Sequence, residues 1–358
     1  PDGQMDKAVV LQMYDDAEKP SVVMTEFVRN SAKAWFQRRA LYAAMDKANG
    51  LLKEGRVEEA RKLLDNGTNA VAAVGADKKS GHDMVGDADA FLDELSLSAT
   101  EGSGVKTGLP NVDELLGGGL SSGELGLIVG HPGAGKSQVL VFLARSAFRA
   151  GLNVVYFTLE MSEKRVTTRL WAGIIDMPTQ TIEAKPDIAG GLIRKYIEDN
   201  PPGGSMFIKE LPTKAARVKD LQAILETRRR AGFPPDLVVV DYADILASAG
   251  KHDERRNELA EVYESLRGLA QVLSIPIWTA SQSNRDAFNR KTTRLDDISD
   301  SWDKAKISDY IFSICQSDVQ QMANEIYLTP MKLRNSSMAD PMPMGIDFSR
   351  ALLFITKP

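Results

Sequence analysis

The chain has 358 residues, 43% of them apolar and 26% charged, and a formal net charge of −5. That is enough apolar material for one large or two ordinary domains around a substantial core. The acidic balance excludes a protein that coats nucleic acid through general basicity, but not one that touches a strand through a few loops.

No run approaches the roughly 18 uninterrupted apolar residues of a membrane helix, and no cleavable signal pattern opens the chain. A single cysteine excludes an intramolecular disulfide, and His82, His131, His252 and Cys315 are too scattered for a metal-ligand cluster. Cys315 is expected in the core of a strand. Because the chain opens at Pro1 and not at a methionine, a further part upstream is expected.

Residues 20–65 carry Phe27, Ala34, Trp35, Leu41, Ala44, Met45, Ala48, Leu51 and Leu52 at helical spacing, followed by a shorter run from Val57 to Leu64. This predicts two or three helices in an N-terminal segment, residues 1–66. Asn66-Gly67 is a stop signal, and the small, polar residues after it suit a linker over 67–104. Within that linker, Phe91, Leu92, Leu95 and Leu97 line one side of a short helix over 87–97. Such a helix has to bury its apolar side, either on its own domain or on a neighbouring subunit.

An α/β domain is expected over 105–358. Leu125–Val129 reads as a short buried strand, and apolar residues recur at helical spacing from Gln138 to Arg149. Between them, Gly130-His131-Pro132-Gly133-Ala134-Gly135-Lys136-Ser137 fits the phosphate-loop spacing without substitution, with Gln138 next in line. Glycines allow the sharp turn that points successive amides and a helix N-terminus at a triphosphate. Lys136 would reach the β- and γ-phosphates of ATP, and the Ser137 hydroxyl would sit on Mg2+. A plain glycine-rich turn entering a helix would explain the glycines but not the Lys-Ser pair.

The next strand, Asn153–Leu159, delivers Glu160 at its carboxyl end, where open parallel sheets place their ligands. A carboxylate there can orient a water and accept its proton during attack on the γ-phosphate; the alternative is a solvated or helix-capping acid. Met206–Lys209 and the helix Val218–Arg230 form another unit, and Leu237–Asp241 is an apolar strand ending in an acid that would hold Mg2+ opposite Ser137. Asp244 is a weaker candidate for the same role, and a loop acid is its expected reading. Ala247–Asn257 reads as a polar loop, Glu258–Leu273 as a helix, and Ile275–Ala280 as a strand ending in Ser281-Gln282.

Several segments in order resemble the RecA-like ATPases and, among them, the DnaB-type replicative helicases. They are T-G-x-x-x-x-D-x-x-L-G-G-G-L from Thr107, Leu159-Glu160-Met161-Ser162, Asp241-Tyr242, Ser281-Gln282-Ser283-Asn284-Arg285, and Lys332-Leu333-Arg334-Asn335. The resemblance covers residues 105–356. It implies a central, mostly parallel sheet flanked by helices, ATP hydrolysis with Mg2+, and a homo-hexamer that translocates on single-stranded DNA. It further implies a primase and a helicase loader as partners, no membrane, and a cytoplasmic location in a bacterium or a phage-infected host. Glu160 would polarise the hydrolytic water and Gln282 would sense the γ-phosphate. Arg334 would act as an arginine finger in the neighbouring subunit's site with Lys332 as its helper, unless the pair is simply a solvated strand face.

The resemblance weakens at the DNA-gripping loop. The family writes S-D-L-R-E-S-G where this chain has Asp296-Asp297-Ile298-Ser299-Asp300-Ser301-Trp302, without the Arg and the Gly. Contacts to a strand would come from backbone amides near Ser299 and Ser301, or from Arg285, Arg290, Lys291 and Arg294. Trp302 would stack a base or anchor the loop. The changed loop keeps a second expectation open, a RecA- or KaiC-like oligomeric ATPase with a regulatory or strand-exchange role.

Overall fold

In the computed structural model the described residues are 48–53, 56–61, 84, 92, 104–200, 203–250, 252, 254–283, 302–316, 318–334, 336, 337 and 339–355. The chain divides into two compact units, Pro1–Asp93 and Glu94–Pro358. In the first, residues 48–53 and 57–61 are helical, with Ala48 and Ala60 buried. Of the expected linker helix over 87–97, only Leu92 is described, and it is helical. The remainder of the expected N-terminal helices and linker lies outside the described residues.

The second unit is built on a nine-stranded sheet in the order β3-β2-β4-β5-β1-β6-β7-β8-β9. The strands are β1 (Leu125–Gly130), β2 (Val154–Thr158), β3 (Met206–Glu210), β4 (Leu237–Asp241), β5 (Ile277–Gln282), β6 (Tyr310–Cys315), β7 (Glu325–Lys332), β8 (Met342–Asp347) and β9 (Leu352–Ile355). From β3 to β6 every pairing is parallel, and from β6 to β9 the chain returns as an antiparallel meander. Every residue of β1, β2 and β4 is buried, which is why these strands read as unbroken apolar runs: helices cover a parallel sheet on both faces.

The pleat sorts each strand between two cores. In β4, Leu237 and Val239 face the layer that holds helix α2 (Lys136–Arg149), while Val238 and Val240 face the layer of α6 (Val218–Arg230) and α7 (Arg255–Leu273). Helix α2 buries Val139, Leu140, Val141, Leu143, Ala144 and Ala147, and each large aliphatic side chain among them contributes roughly 1.5–3 kcal/mol. The start of the unit is pinned by Thr107, whose backbone N–H and hydroxyl both donate to Asp113 Oδ1 at 2.6 Å, across helix α1 (Pro110–Leu115). That is the physical content of the T-G-x-x-x-x-D spacing.

Most sequence-predicted elements fall within a residue or two of those observed, but α7 begins at Arg255, inside the expected polar loop. Three helices between β2 and β3 were not anticipated: α3 (Glu163–Ile174), α4 (Thr179–Ala184) and α5 (Pro186–Asp199). Only Ala189 of α5 is buried, so its period carries little core signal. Cys315 is buried at the end of β6, as a strand core residue.

Gly126 of β1 lies opposite Trp278 of β5, and a Cβ there would stand 2.4 Å from the indole ring. Trp278 is 2% exposed and has no free space to retreat into. Gly126→Val should therefore cost about 1–3 kcal/mol, lowering the thermal midpoint by roughly 2–4 °C per kcal/mol. Combining it with Trp278→Leu should recover part of that loss, because the two sites share one volume. Thermal unfolding of the two single variants and the double variant measures this coupling.

Candidate nucleotide site

Strand register assembles the site. Gly130 at the end of β1 is paired with Gln282 at the end of β5, and Thr158 at the end of β2 with Asp241 at the end of β4. The carboxyl ends of four parallel strands therefore meet on one edge, where β1 runs into the phosphate loop. Gly135 takes φ +95° immediately before α2, a left-handed backbone that glycine adopts without strain. The Lys136 ammonium folds back over the loop and donates to the carbonyls of Gly130 and His131, both at 2.9 Å. Burial lowers its pKa, against the opposing pull of Glu160, Asp241 and Asp244.

Ser137 Oγ donates to Asp241 Oδ1 at 3.1 Å, and Tyr156 Oη donates to Asp241 Oδ2 at 2.8 Å. Burial pushes the Asp241 carboxyl up; the hydrogen bonds from Tyr156 and Ser137 work the other way. Glu160 is held at the mouth by a tight turn. The Thr158 hydroxyl donates to Met161 O at 2.7 Å and accepts from Met161 N at 3.1 Å, which leaves Glu160 exposed between them. Ser162 then caps α3 by accepting from Arg165 N.

A cavity of about 240 Å³ opens among these groups, lined by Pro132, Gly133, Gly135, Lys136, Ser137, Gln138, Glu160, Arg169, Gln282 and Phe348. The Gln282 amide donates to the Tyr242 hydroxyl at 2.8 Å. Burial, then the nearby charges of Glu160, Asp244 and Asp241, push that phenol up to about 12. Gln138 donates to the Phe348 carbonyl at 3.2 Å.

The structure thus brings the phosphate loop, Glu160 and Gln282 around one space, with the buried Asp241 carboxylate behind Ser137. It also adds three residues that the sequence alone did not single out, Tyr156, Arg169 and Phe348, and gives Tyr242 a partner in Gln282. Arg169 makes no ion pair among the described residues, yet its charge reaches Asp241 and Tyr156. It sits on α3, a helix with no sequence forecast. The polar tip of Tyr156 in an otherwise apolar strand was the one available signal.

Arg334 and Lys332 lie elsewhere on the surface. Arg334, half-exposed just past β7, is ion-paired to the buried Asp309, which also takes Arg267 at 3.0 Å and the Leu125 N–H at 3.0 Å. Lys332 donates to the carbonyls of Ala305, Lys306 and Ser308 at 2.7–2.9 Å and so closes the end of helix α8 (Trp302–Ile307). A solvated strand face does not describe either side chain. Arg285, Arg290, Lys291, Arg294, Ser299 and Ser301 lie outside the described residues, as does the Trp302 side chain. Asp244 is no simple loop acid: it occupies a short 3-10 turn, Ala243–Ile245, and its carboxylate is turned inward among hydrogen-bond donors.

A phosphate loop at the end of a central strand, an acid on the strand two places away in the sheet, and a carboxylate after the next strand define an α/β ATPase domain of the RecA-like class. Within that class the chain belongs to the DnaB-like helicase C-terminal domain family, whose model matches residues 104–340. A DnaB-like replicative helicase of Enterobacteria phage T4 is 23% identical over 92% of this chain and 70% of its own length. Replicative DNA helicase DnaB of Leifsonia xyli is 30% identical over 59% of this chain and 47% of its own, and that of Geobacillus stearothermophilus is 23% identical over 78% and 63%. The chain thus spans about half to two thirds of the bacterial relatives.

Among solved structures, one described as an ATPase domain superposes with a TM-score of 0.66 at 20% identity, covering 77% of this chain and all of that one. A DnaB-like replicative helicase, described with its interactions with primase, superposes with 0.65 at 18% identity over 97% of this chain and 83% of that one. Both support the fold. No described helix is long and apolar enough to cross a membrane, and the described residues hold no His, Cys, Asp and Glu cluster suited to a metal ion.

Asp309 yields a pH prediction. Burial pushes its carboxyl up, but Arg267, the Leu125 N–H and Arg334 outweigh burial and hold its pKa below the ordinary value. A depressed folded pKa stabilises the fold above the unfolded value, near pH 4, and that contribution is lost as pH falls through the lower folded value. Thermal unfolding between about pH 5 and pH 2 should therefore show a steeper loss of stability in the wild type than in Asp309→Asn, which should already be destabilised at pH 7.

Proposed function

We propose that the chain is the ATP-driven motor of a replicative helicase, working as a homo-hexameric ring that moves along single-stranded DNA in the cytoplasm of a bacterium or of a phage-infected host. The observation that carries this is the cavity where the phosphate loop, Glu160 and Gln282 converge, with the buried Asp241 hydrogen-bonded behind Ser137, in a chain of this family. The loop amides from Gly130 to Gln138 and the Lys136 ammonium bind the triphosphate, with the ammonium exchanging its two carbonyl partners for phosphate oxygens. A hydroxyl and a carboxylate oxygen 3.1 Å apart are the hard oxygen donors that Mg2+ takes, so Ser137 and Asp241 would hold that ion. When bound, Mg2+ neutralises charge on the β- and γ-phosphates.

Glu160, exposed at the cavity mouth, orients the attacking water and accepts its proton. Gln282 reads the γ-phosphate from the adjoining strand end, and Arg169 adds a positive charge from the same protomer. Phe348 offers an aromatic wall to the nucleoside, beside the turn at Gly135. Arg334 leaves Asp309 to reach the neighbouring protomer's γ-phosphate, and Lys332 holds the strand end from which it reaches. The segment holding Arg285, Arg290, Lys291, Arg294, Ser299 and Ser301 contacts the strand, and a primase and a loader are the expected protein partners.

The purified chain should hydrolyse ATP faster with single-stranded DNA and unwind a forked duplex. Glu160→Gln should bind ATP with near-normal affinity but turn over about 10²–10⁴-fold more slowly. A six-membered ring that hydrolyses ATP yet neither binds a strand nor unwinds a fork, with or without a loader, would point instead to a regulatory RecA- or KaiC-like ATPase, a possibility that the altered 296–302 segment keeps in play.

The finger has its own test. Doping wild-type protomers with Arg334→Ala, whose own cavity is intact, should lower total turnover more steeply than dilution alone. A strictly proportional response would remove Arg334 from the neighbour's chemistry.

A further inference from the structure

The nucleotide cavity is backed by an ion pair that the chemistry above does not use. Lys304 of α8 is fully buried, and its ammonium lies 2.9 Å from Asp244 Oδ1, 3.0 Å from Ser281 Oγ and 5.5 Å from the centre of the Tyr263 ring. Asp244 is saturated in turn. Its Oδ1 accepts from the Tyr263 hydroxyl at 2.8 Å, and its Oδ2 accepts from Ser281 Oγ at 2.9 Å and from the backbone N–H of Gln282 at 3.1 Å.

Burying an ammonium is costly, and an apolar side chain of similar length would fill the same space without that cost. What the pair supplies that packing could not is direction. Hydrogen bonds and an ion pair fix where two segments stand relative to each other, whereas apolar contacts tolerate sliding. Here one carboxylate fixes the main chain at Gln282, whose side chain lines the cavity, and through Lys304 it also fixes α8. In the sequence these two anchors bracket residues 284–301, which hold the candidate DNA contacts.

We propose that Asp244 and Lys304 are positioning residues that tie Gln282 to both ends of the 284–301 segment, so that the stimulation of ATP turnover by single-stranded DNA depends on their pairing. This rests on the helicase function proposed above. A displacement of Gln282 on meeting the γ-phosphate pulls on the N–H held by Asp244. The same carboxylate passes that displacement to Lys304 and the start of α8.

The test uses the full chain and three variants: Asp244→Asn, Lys304→Met, and the double variant. Each single change removes one member of a buried ion pair and should lower the thermal midpoint; the double variant removes both charges and should recover most of it. For the double variant the expected result is ATP affinity within about twofold of wild type, by fluorescent-nucleotide titration, and DNA stimulation of kcat at least fivefold weaker. A stable double variant with wild-type stimulation overturns the proposal and leaves the pair a purely structural one.

Hydrogen exchange on the wild type needs no variant to fold. Adding a non-hydrolysable ATP analogue should change amide protection at 282–283 and at 302–307 together, and a change at the first without the second also overturns the proposal. Absence of any DNA stimulation in the wild type would instead count against the helicase function, and the exchange measurement would still decide the coupling.

Discussion

The hydrogen bond from Ser137 to Asp241 joins positions 104 residues apart and ties the helix after the phosphate loop to the end of β4. Ser137 opens the helix after the phosphate loop, and Asp241 closes a strand two places away in the sheet. Asp241 is buried, so its carboxylate has to find hydrogen-bond partners or carry the full cost of burial. Tyr156 fills the remaining demand of Asp241 from the strand next to it.

Around that centre the two halves of the sheet do different work. The parallel half, β3 to β6, brings its carboxyl ends to one edge and builds the cavity. The antiparallel half lends the cavity Phe348, from the turn between β8 and β9, and carries Lys332 and Arg334 elsewhere, to the end of helix α8 and to Asp309. Lys332 is committed to the helix end that it closes, while Arg334 remains half-exposed and, among the described residues, pairs with one carboxylate, Asp309.

Asp244 shows how one residue can pass from incidental to central once neighbours are known. In the sequence it is one acid after a strand, three places beyond another acid with a clearer role. In the fold it gathers donors from the helix α7, the end of β5 and the start of α8, elements that are adjacent only in space. No local pattern carries that information, because a hydrogen-bond acceptor is defined by what surrounds it. The same holds for Arg169 and Phe348, which reach the nucleotide cavity from a helix and a turn with no motif of their own.

The sequence by itself determined the phosphate loop, the acid-terminated strands, the order of most strands and helices, and the family to which the whole belongs. Those features are local: a glycine turn, an apolar run of strand length and a charged residue at its end can each be read within a dozen residues or so. Only the tertiary structure decided which strand ends meet, that three helices stand between β2 and β3, that Lys332 braces a helix, and that a buried Lys304 faces Asp244. The physical reason is that pairing register and burial belong to residues far apart in the chain. Charge in an apolar interior is tolerated only where the fold has already placed its counterpart.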